Sequence, residues 1–133
     1  MVFGVGIDLV EIRRIEKSIA RFGDRFLRRV FSDAEISYCK DKPRPYPHFA
    51  ACFAAKEAFL KALGAGLGGG FALPEIETIH DALGKPSLRL SGRAIKFLDS
   101  LGVNTTLASI SHSGNYATAV VILAKEKGLH GCE

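Results

Sequence analysis

One stretch limits the fold more than any other: residues 48–63, HFAACFAAKEAFLKAL, followed by Gly64. Alanine, leucine, lysine and glutamate favour a helix there, and Gly64 is a suitable C-terminal stop. At 100° per residue, Phe49, Phe53, Leu60 and Leu63 fall in one arc. Alanines at 50, 51, 54, 55, 58 and 62 make almost the whole circumference apolar or small. Such a helix is packed on several sides, so the remaining chain has to wrap it. Lys56 falls near the centre of the apolar arc, an odd place for a charge. Glu57 and Lys61 lie on its shoulder, four residues apart and therefore neighbours. Two readings of that pair stay open. It is a surface ion pair worth about 0.3–0.5 kcal/mol, or it is half-buried and needs a cation and a phosphate as partners.

The opening segment VFGVGIDLV (2–10) alternates as a strand does, with Phe3, Val5, Ile7 and Leu9 on one face. Gly4, Gly6 and Asp8 share the other face, which is nearly bare and lets a backbone or a ligand come close to Asp8. An aspartate inside a strand bonds nearby backbone N–H groups or holds a hard cation. A second carboxylate from another element, such as Glu57, together with waters and substrate phosphates, would give the arrangement Mg²⁺ prefers.

From residue 12 to 22 the period turns helical. Ile12, Ile15, Ile19 and Phe22 face inward, Arg13, Arg14, Lys17 and Arg21 face outward, and Gly23 ends the run. Ser32-Asp-Ala-Glu35 is a capping box flanked by the hydrophobic staple Phe31/Ile36, which predicts a second helix. KDKPRPYPH (40–48) is a proline-broken connection, and GAGLGGG (64–70) is a glycine-rich loop. Residues 75–80 and 87–90 read as short strands around the turn Leu83–Pro86. Ser91 caps a helix ending near Leu101, with Ala94, Ile95, Leu98 and Leu101 on its inner face. Residues 105–112 and 116–124 form a hairpin across Ser113-Gly114. The last strand is apolar on both faces and so belongs in the middle of a sheet. The expectation is a single α+β domain over residues 1–125, a mostly antiparallel sheet packed against a long helix, with a loose tail at 126–133.

A net charge of +4 favours an anionic partner without choosing one. Interleaved surface aromatics and nucleic-acid motifs are lacking, so no nucleic-acid role is expected. No apolar run approaches a membrane span, and the opening carries Asp8 and Glu11 with no basic leader. Cys39, Cys52 and Cys132 cannot all pair and show no CxxC spacing, which fits reduced thiols in the cytoplasm, Cys52 lining a core or a pocket. His48, His80 and His130 have no metal-ligand spacing and read as structural or exposed. His112 reads equally as a turn histidine or a phosphate contact. The glycine run follows a helix instead of opening one, so it is no phosphate loop.

Two ten-residue stretches carry a resemblance. Gly6-Ile-Asp8-Leu-Val-Glu-Ile-Arg-Arg14-Ile15 and Phe53-Ala-Ala-Lys56-Glu57-Ala-Phe-Leu-Lys61-Ala62 resemble the two signature motifs of the holo-(acyl carrier protein) synthases, the small bacterial class of 4′-phosphopantetheinyl transferases. Phe31–Glu35, Gly84-Lys85-Pro86 and Ser109–His112 match in the family's order. The resemblance implies a 4′-phosphopantetheinyl transferase fold assembled as a homotrimer with active sites at subunit interfaces. It also implies transfer of the 4′-phosphopantetheine arm of coenzyme A to a serine of apo acyl carrier protein, a Mg²⁺-dependent step of fatty acid biosynthesis. On that reading Asp8 and Glu57 hold the metal and Lys61 reaches the coenzyme A phosphates. Lys56 sits beside those phosphates, and His112 lies near the nucleotide end. Arg14 and Arg21 meet the acidic carrier protein. Many relatives have arginine where this chain has Cys52; Arg44 is one residue that could supply the missing contact.

Overall fold

The computed structural model of the chain describes residues 1–64 and 70–127. Its first strand, β1 (Val2–Glu11), turns its bare side to the long helix α4 (Pro45–Leu63). The approach is so close that only glycine fits. A Cβ on Gly6 would lie 1.9 Å from the carbonyl oxygen of Ala58, and one on Gly4 would lie 2.0 Å from that of Ala62. The expected close contact of a backbone with this face is therefore what forms, and the alanines of α4 are its counterpart.

Strands β4 (Thr105–Ser113) and β5 (Tyr116–Ala124) complete an antiparallel sheet of order β1-β5-β4, with the apolar β5 central as expected. Register places Gly6 beside Val121 and Ala108, Asp8 beside Ala119 and Ile110, and Val10 beside Ala117 and His112. Those rows share the face toward α4, where Ala117, Ala119 and Val121 are buried. The opposite face is apolar yet open: Val5, Ile7 and Leu9 are 59–65% exposed, and Leu107 is 55% exposed.

Between β1 and α4 run three shorter helices, α1 (Ile12–Phe22), α2 (Asp24–Val30) and α3 (Asp33–Lys40). Ile12 and Ile15 are buried as expected, whereas Phe22, expected inside, is half exposed. α2 is not evident from the pattern; Gly23, at φ 56°, separates it from α1. α3 has both arms of the expected capping box, Glu35 N–H to Ser32 Oγ and Ser32 N–H to Glu35 Oε1. α4 begins three residues earlier than the pattern suggests. Pro45 and Pro47 sit in its first turn, where a missing N–H costs nothing.

β2 (Ile76–His80) and β3 (Pro86–Leu90) form a second, two-stranded antiparallel sheet. The Asp81 carboxylate accepts the N–H groups of Leu83 and Lys85 and fixes the turn; these bonds hold its carboxyl below the usual range. Helix α5 (Gly92–Ser100) starts after Ser91, but the capping acceptor is Glu75, which takes the N–H of Ala94. The predicted loop at 64–70 lies mostly outside the described residues, as do Cys132, His130 and the tail from 128 on. Glu126 is tied to Asn104 by reciprocal hydrogen bonds of 2.7 and 2.9 Å.

Candidate active site

Asp8 comes to the site from β1, and Glu57 and Lys61 come from successive turns of α4. The strand's period of two aims Asp8 at the helix, and the helix spacing of four stacks Glu57 and Lys61 on one side. Lys61 Nζ donates to Asp8 Oδ1 at 2.9 Å and to the Ile7 carbonyl at 3.1 Å. The ion pair made by Lys61 therefore runs to the strand carboxylate, not to Glu57. Its Asp8 end is 15% exposed and its Lys61 end 56% exposed. Burial lifts the Glu57 carboxyl above its ordinary range; the negative charge of Asp8 adds to the rise, and Lys61 opposes it.

The two carboxylates line one cavity of about 370 Å³ with Arg14 and Ser18 from α1, Phe26 from α2 and Phe53 from α4. No group of three or more His, Cys, Asp and Glu gathers as a metal cage among the described residues. Two carboxylates that repel one another beside an open cavity nevertheless suit a hard cation that completes its shell with water and phosphate oxygens. Arg14 is thus at the carboxylate cavity itself. Arg21 lies further along the same helix, its guanidinium 5.1 Å above the Phe22 ring.

Lys56 corrects the expectation placed on it. Its ammonium is fully buried and faces away from solvent, donating to Glu35 Oε1 at 2.6 Å and to the carbonyls of Leu73 at 3.1 Å and Ile76 at 2.5 Å. An ammonium has three donors, and all three are taken. It has none left for a phosphate of coenzyme A. Glu35 Oε2 also accepts the N–H of Thr78, so the pair ties α3, α4 and β2 together.

His112 stands at the end of β4 in a second cleft of about 210 Å³, with Tyr38, His48, Cys52 and His80. Tyr38 stacks on His80 with centroids 4.1 Å apart and planes within 6°, and His48 meets His112 edge-on at 5.5 Å. Sequence spacing missed this gathering, because its members come from α3, α4, β2 and β4. Cys52 lies at the back of the cleft, its Sγ 4.0 Å from the buried, free Cys39. Arg44 is in a different recess, with Glu11, Arg13 and Asn115, and does not fill the place of the family arginine.

Comparison with known proteins identifies the family. Residues 4–121 match the model of the 4′-phosphopantetheinyl transferase superfamily. The holo-(acyl-carrier-protein) synthase of Syntrophus aciditrophicus is 51% identical over 123 residues, 92% of this chain and 96% of the relative. The crystal structure of the Neisseria meningitidis synthase superposes with a TM-score of 0.87 at 34% identity, covering 94% of this chain and 100% of the other. The Helicobacter pylori synthase, solved in complex with coenzyme A, gives 0.80 at 38% identity, covering 90% and 99%. No helix among the described residues is long and apolar enough to cross a membrane. With matched motifs, near full-length identity and a shared fold, the chain belongs to the 4′-phosphopantetheinyl transferase superfamily, among the holo-(acyl-carrier-protein) synthases.

Proposed function

We propose that this enzyme transfers the 4′-phosphopantetheine arm of coenzyme A to a serine hydroxyl of apo acyl carrier protein in a Mg²⁺-dependent reaction serving fatty acid biosynthesis in the cytoplasm. The convergence of Asp8 and Glu57 on one cavity, with Lys61 bonded to Asp8, carries the reading. In the reaction the serine oxygen forms a bond to the β-phosphorus of coenzyme A. The bond from that phosphorus to the bridging oxygen breaks, and adenosine 3′,5′-bisphosphate departs. Such a displacement asks a protein mainly for positioning and for relief of charge.

Asp8 and Glu57 are the residues that would hold Mg²⁺, which when bound supplies charge neutralisation at the pyrophosphate oxygens. Asp8 is fixed for this task by the strand hydrogen bonds around it, including Thr118 Oγ1 donating to its carbonyl at 2.8 Å. Lys61, with over half of its side chain in solvent, shares the negative charge that grows on the departing nucleotide. Arg14 and Arg21 present positive charge to the acidic carrier protein, and His112 lies toward the nucleotide end of coenzyme A.

The reading includes a homotrimer with active sites shared between neighbours. The exposed apolar stripe Val5-Ile7-Leu9 with Leu107 is the surface such an assembly needs to cover. Incubation with coenzyme A, Mg²⁺ and an apo carrier protein tests the function. The carrier should gain one phosphopantetheine mass, and a chelator should abolish the gain. No mass gain at any divalent metal concentration would refute it. Sedimentation of the wild type as a trimer and of Ile7→Arg as smaller species would support the assembly; an active wild-type monomer would refute it.

A further inference from the structure

α3 and α4 run antiparallel and meet through two successive rungs. Glu35 pairs with Lys56, and one turn further on Cys39 meets Cys52; each step is four residues, up one helix and down the other. The first rung is an ion pair with all three donors of Lys56 taken, so the helices are held in register there. The second rung is two free thiols, both buried, with their Sγ atoms 4.0 Å apart. Neither has a part in the chemistry at Asp8 and Glu57. Cys39 has no exposed surface, whereas Cys52, with 2%, borders the cleft formed with Tyr38, His48, His80 and His112. One thiol of the pair is thus open to small solutes in the cleft, and the other reaches only its neighbour.

We propose that Cys39 and Cys52 are a redox pair, which a peroxide converts to a disulfide that draws α3 onto α4 and narrows the cleft. A disulfide needs the two sulfurs at about half their present separation. The Glu35–Lys56 rung is fixed, so the movement falls on the C-terminal end of α3, which closes at Lys40. Tyr38, next to Cys39, and His48, one turn before Cys52, both line the cleft with ring centroids 6.3 Å apart. The same closing therefore brings its walls together. At about 210 Å³ the cleft has little room to lose. Resting on the proposed function, with His112 toward the nucleotide end of coenzyme A, the disulfide form binds coenzyme A more weakly.

The surroundings decide both the rate and the product. The hydrogen bond with Cys39, and after it burial, hold the Cys52 thiol well above its ordinary range. Thiolate is scarce at pH 7 and oxidation is slow, but a disulfide carries no charge and suits the dry interior. The Cys52 sulfur, on giving up its proton, forms a bond to one oxygen of hydrogen peroxide. The O–O bond breaks, and the departing hydroxide takes up the proton as water, leaving a sulfenic acid. The Cys39 sulfur then bonds to the Cys52 sulfur, the S–O bond breaks, and the hydroxide leaves with the Cys39 proton as a second water. The two sulfurs give up two electrons in all, and the peroxide takes them.

The test treats the intact protein with hydrogen peroxide, alkylates the remaining thiols after denaturation and maps the peptides by mass spectrometry. A Cys39–Cys52 link should form, two hydrogens lighter than the separate peptides, and dithiothreitol should reopen it. Cys39→Ala should form no such link and should leave a sulfenic acid on Cys52 that dimedone traps. Should that variant fail to fold, the wild-type map decides alone. Calorimetry with Mg²⁺ and coenzyme A should show binding about tenfold weaker in the disulfide form, the cost of a modest steric clash, and recovery on reduction. If both cysteines stay as thiols, or either links instead to Cys132 or to a second copy of the chain, the proposal fails. A Cys39–Cys52 link that leaves coenzyme A affinity unchanged also overturns it, because the cleft is then not narrowed where the ligand lies. If the link forms and reopens but neither form binds coenzyme A, the redox pair stands and the proposed function fails.

Discussion

Glu35 Oε1 lies 2.6 Å from Lys56 Nζ, and both side chains are entirely out of solvent. Glu35 is also the N3 residue of the α3 capping box and the acceptor for the Thr78 N–H. One carboxylate therefore closes a helix end, neutralises a buried ammonium and holds the middle of β2. That many partners make the burial of two charges tolerable.

Breaking the pair from one side should be costly. Lys56→Met leaves Glu35 charged and buried, with an expected loss of about 3–5 kcal/mol of stability. It also frees the carbonyls of Leu73 and Ile76. Glu35→Gln/Lys56→Met should recover part of that loss, because no unpaired charge remains. Urea denaturation of the three proteins checks this. A fully stable Lys56→Met variant with impaired coenzyme A binding would restore Lys56 to the phosphates.

The contact of β1 with α4 gives a second expectation. Gly6→Ala would place a methyl 1.9 Å from the Ala58 carbonyl oxygen, and that atom belongs to a helix backbone that cannot step aside. Overpacking of this kind costs about 1–3 kcal/mol or more. The strand would have to lift off the helix, carrying Asp8 away from Glu57. Thermal melting and Mg²⁺ titration should both show the damage; an unchanged melting midpoint would mean the packing is looser than described.

The site was legible in the sequence where local periods decide the geometry. A period of two set Gly4, Gly6 and Asp8 on one bare face, and a spacing of four put Glu57 and Lys61 on one side of α4, although Lys61 pairs with Asp8 and not with Glu57. The charge of Lys56 stood out as misplaced, but its partner did not. Glu35 already had a sufficient local role in the capping box, and only the tertiary fold brings the two within reach. α2, with seven residues, is held by the burial of Leu27 and Val30, and so short a helix leaves little period to read. The histidine cleft was invisible for the same reason as the Glu35–Lys56 pair. Phe22 misled because its angular position is apolar while the neighbouring chain leaves it in solvent.

Glu57 sets function against stability. Its carboxyl is raised by burial and by Asp8, so its charged form is disfavoured in the folded protein. For a folded pKa above the unfolded one, the wild type is relatively most stable below the ordinary glutamate value of about 4.3. That advantage disappears as pH rises through the folded value. Without metal, Glu57→Gln should therefore melt higher than wild type at pH 8, and the gap should close toward pH 4. Transfer by the same variant should fall at least about 100-fold. A gap that widens on acidification would reverse the sign of the shift and remove the case for strain between the two carboxylates.

Arg14 and Arg21 are seven residues apart, close to two full turns, and so share one side of α1. Their surroundings differ. Arg14 lines the cavity that holds Asp8 and Glu57, whereas Arg21 is exposed beside the exposed Phe22. Glu16 is the sole acid within residues 12–22, against Arg13, Arg14, Lys17 and Arg21, so the face carries an uncompensated positive field. An acidic carrier protein approaching that face is drawn by charges near the rim, which act chiefly on the association rate. With a Debye length of about 8 Å at physiological salt, added salt should raise the KM for the carrier protein more than the KM for coenzyme A. Arg21→Glu is the clean probe: the carrier-protein KM should rise about tenfold or more at low salt, with coenzyme A nearly unaffected. Arg14→Glu should impair both, because a third carboxylate at the cavity repels the phosphates as well as the carrier. Steady-state kinetics of both variants at two ionic strengths separate these effects. If Arg21→Glu left carrier-protein kinetics unchanged at low salt, the docking face would lie off this part of α1.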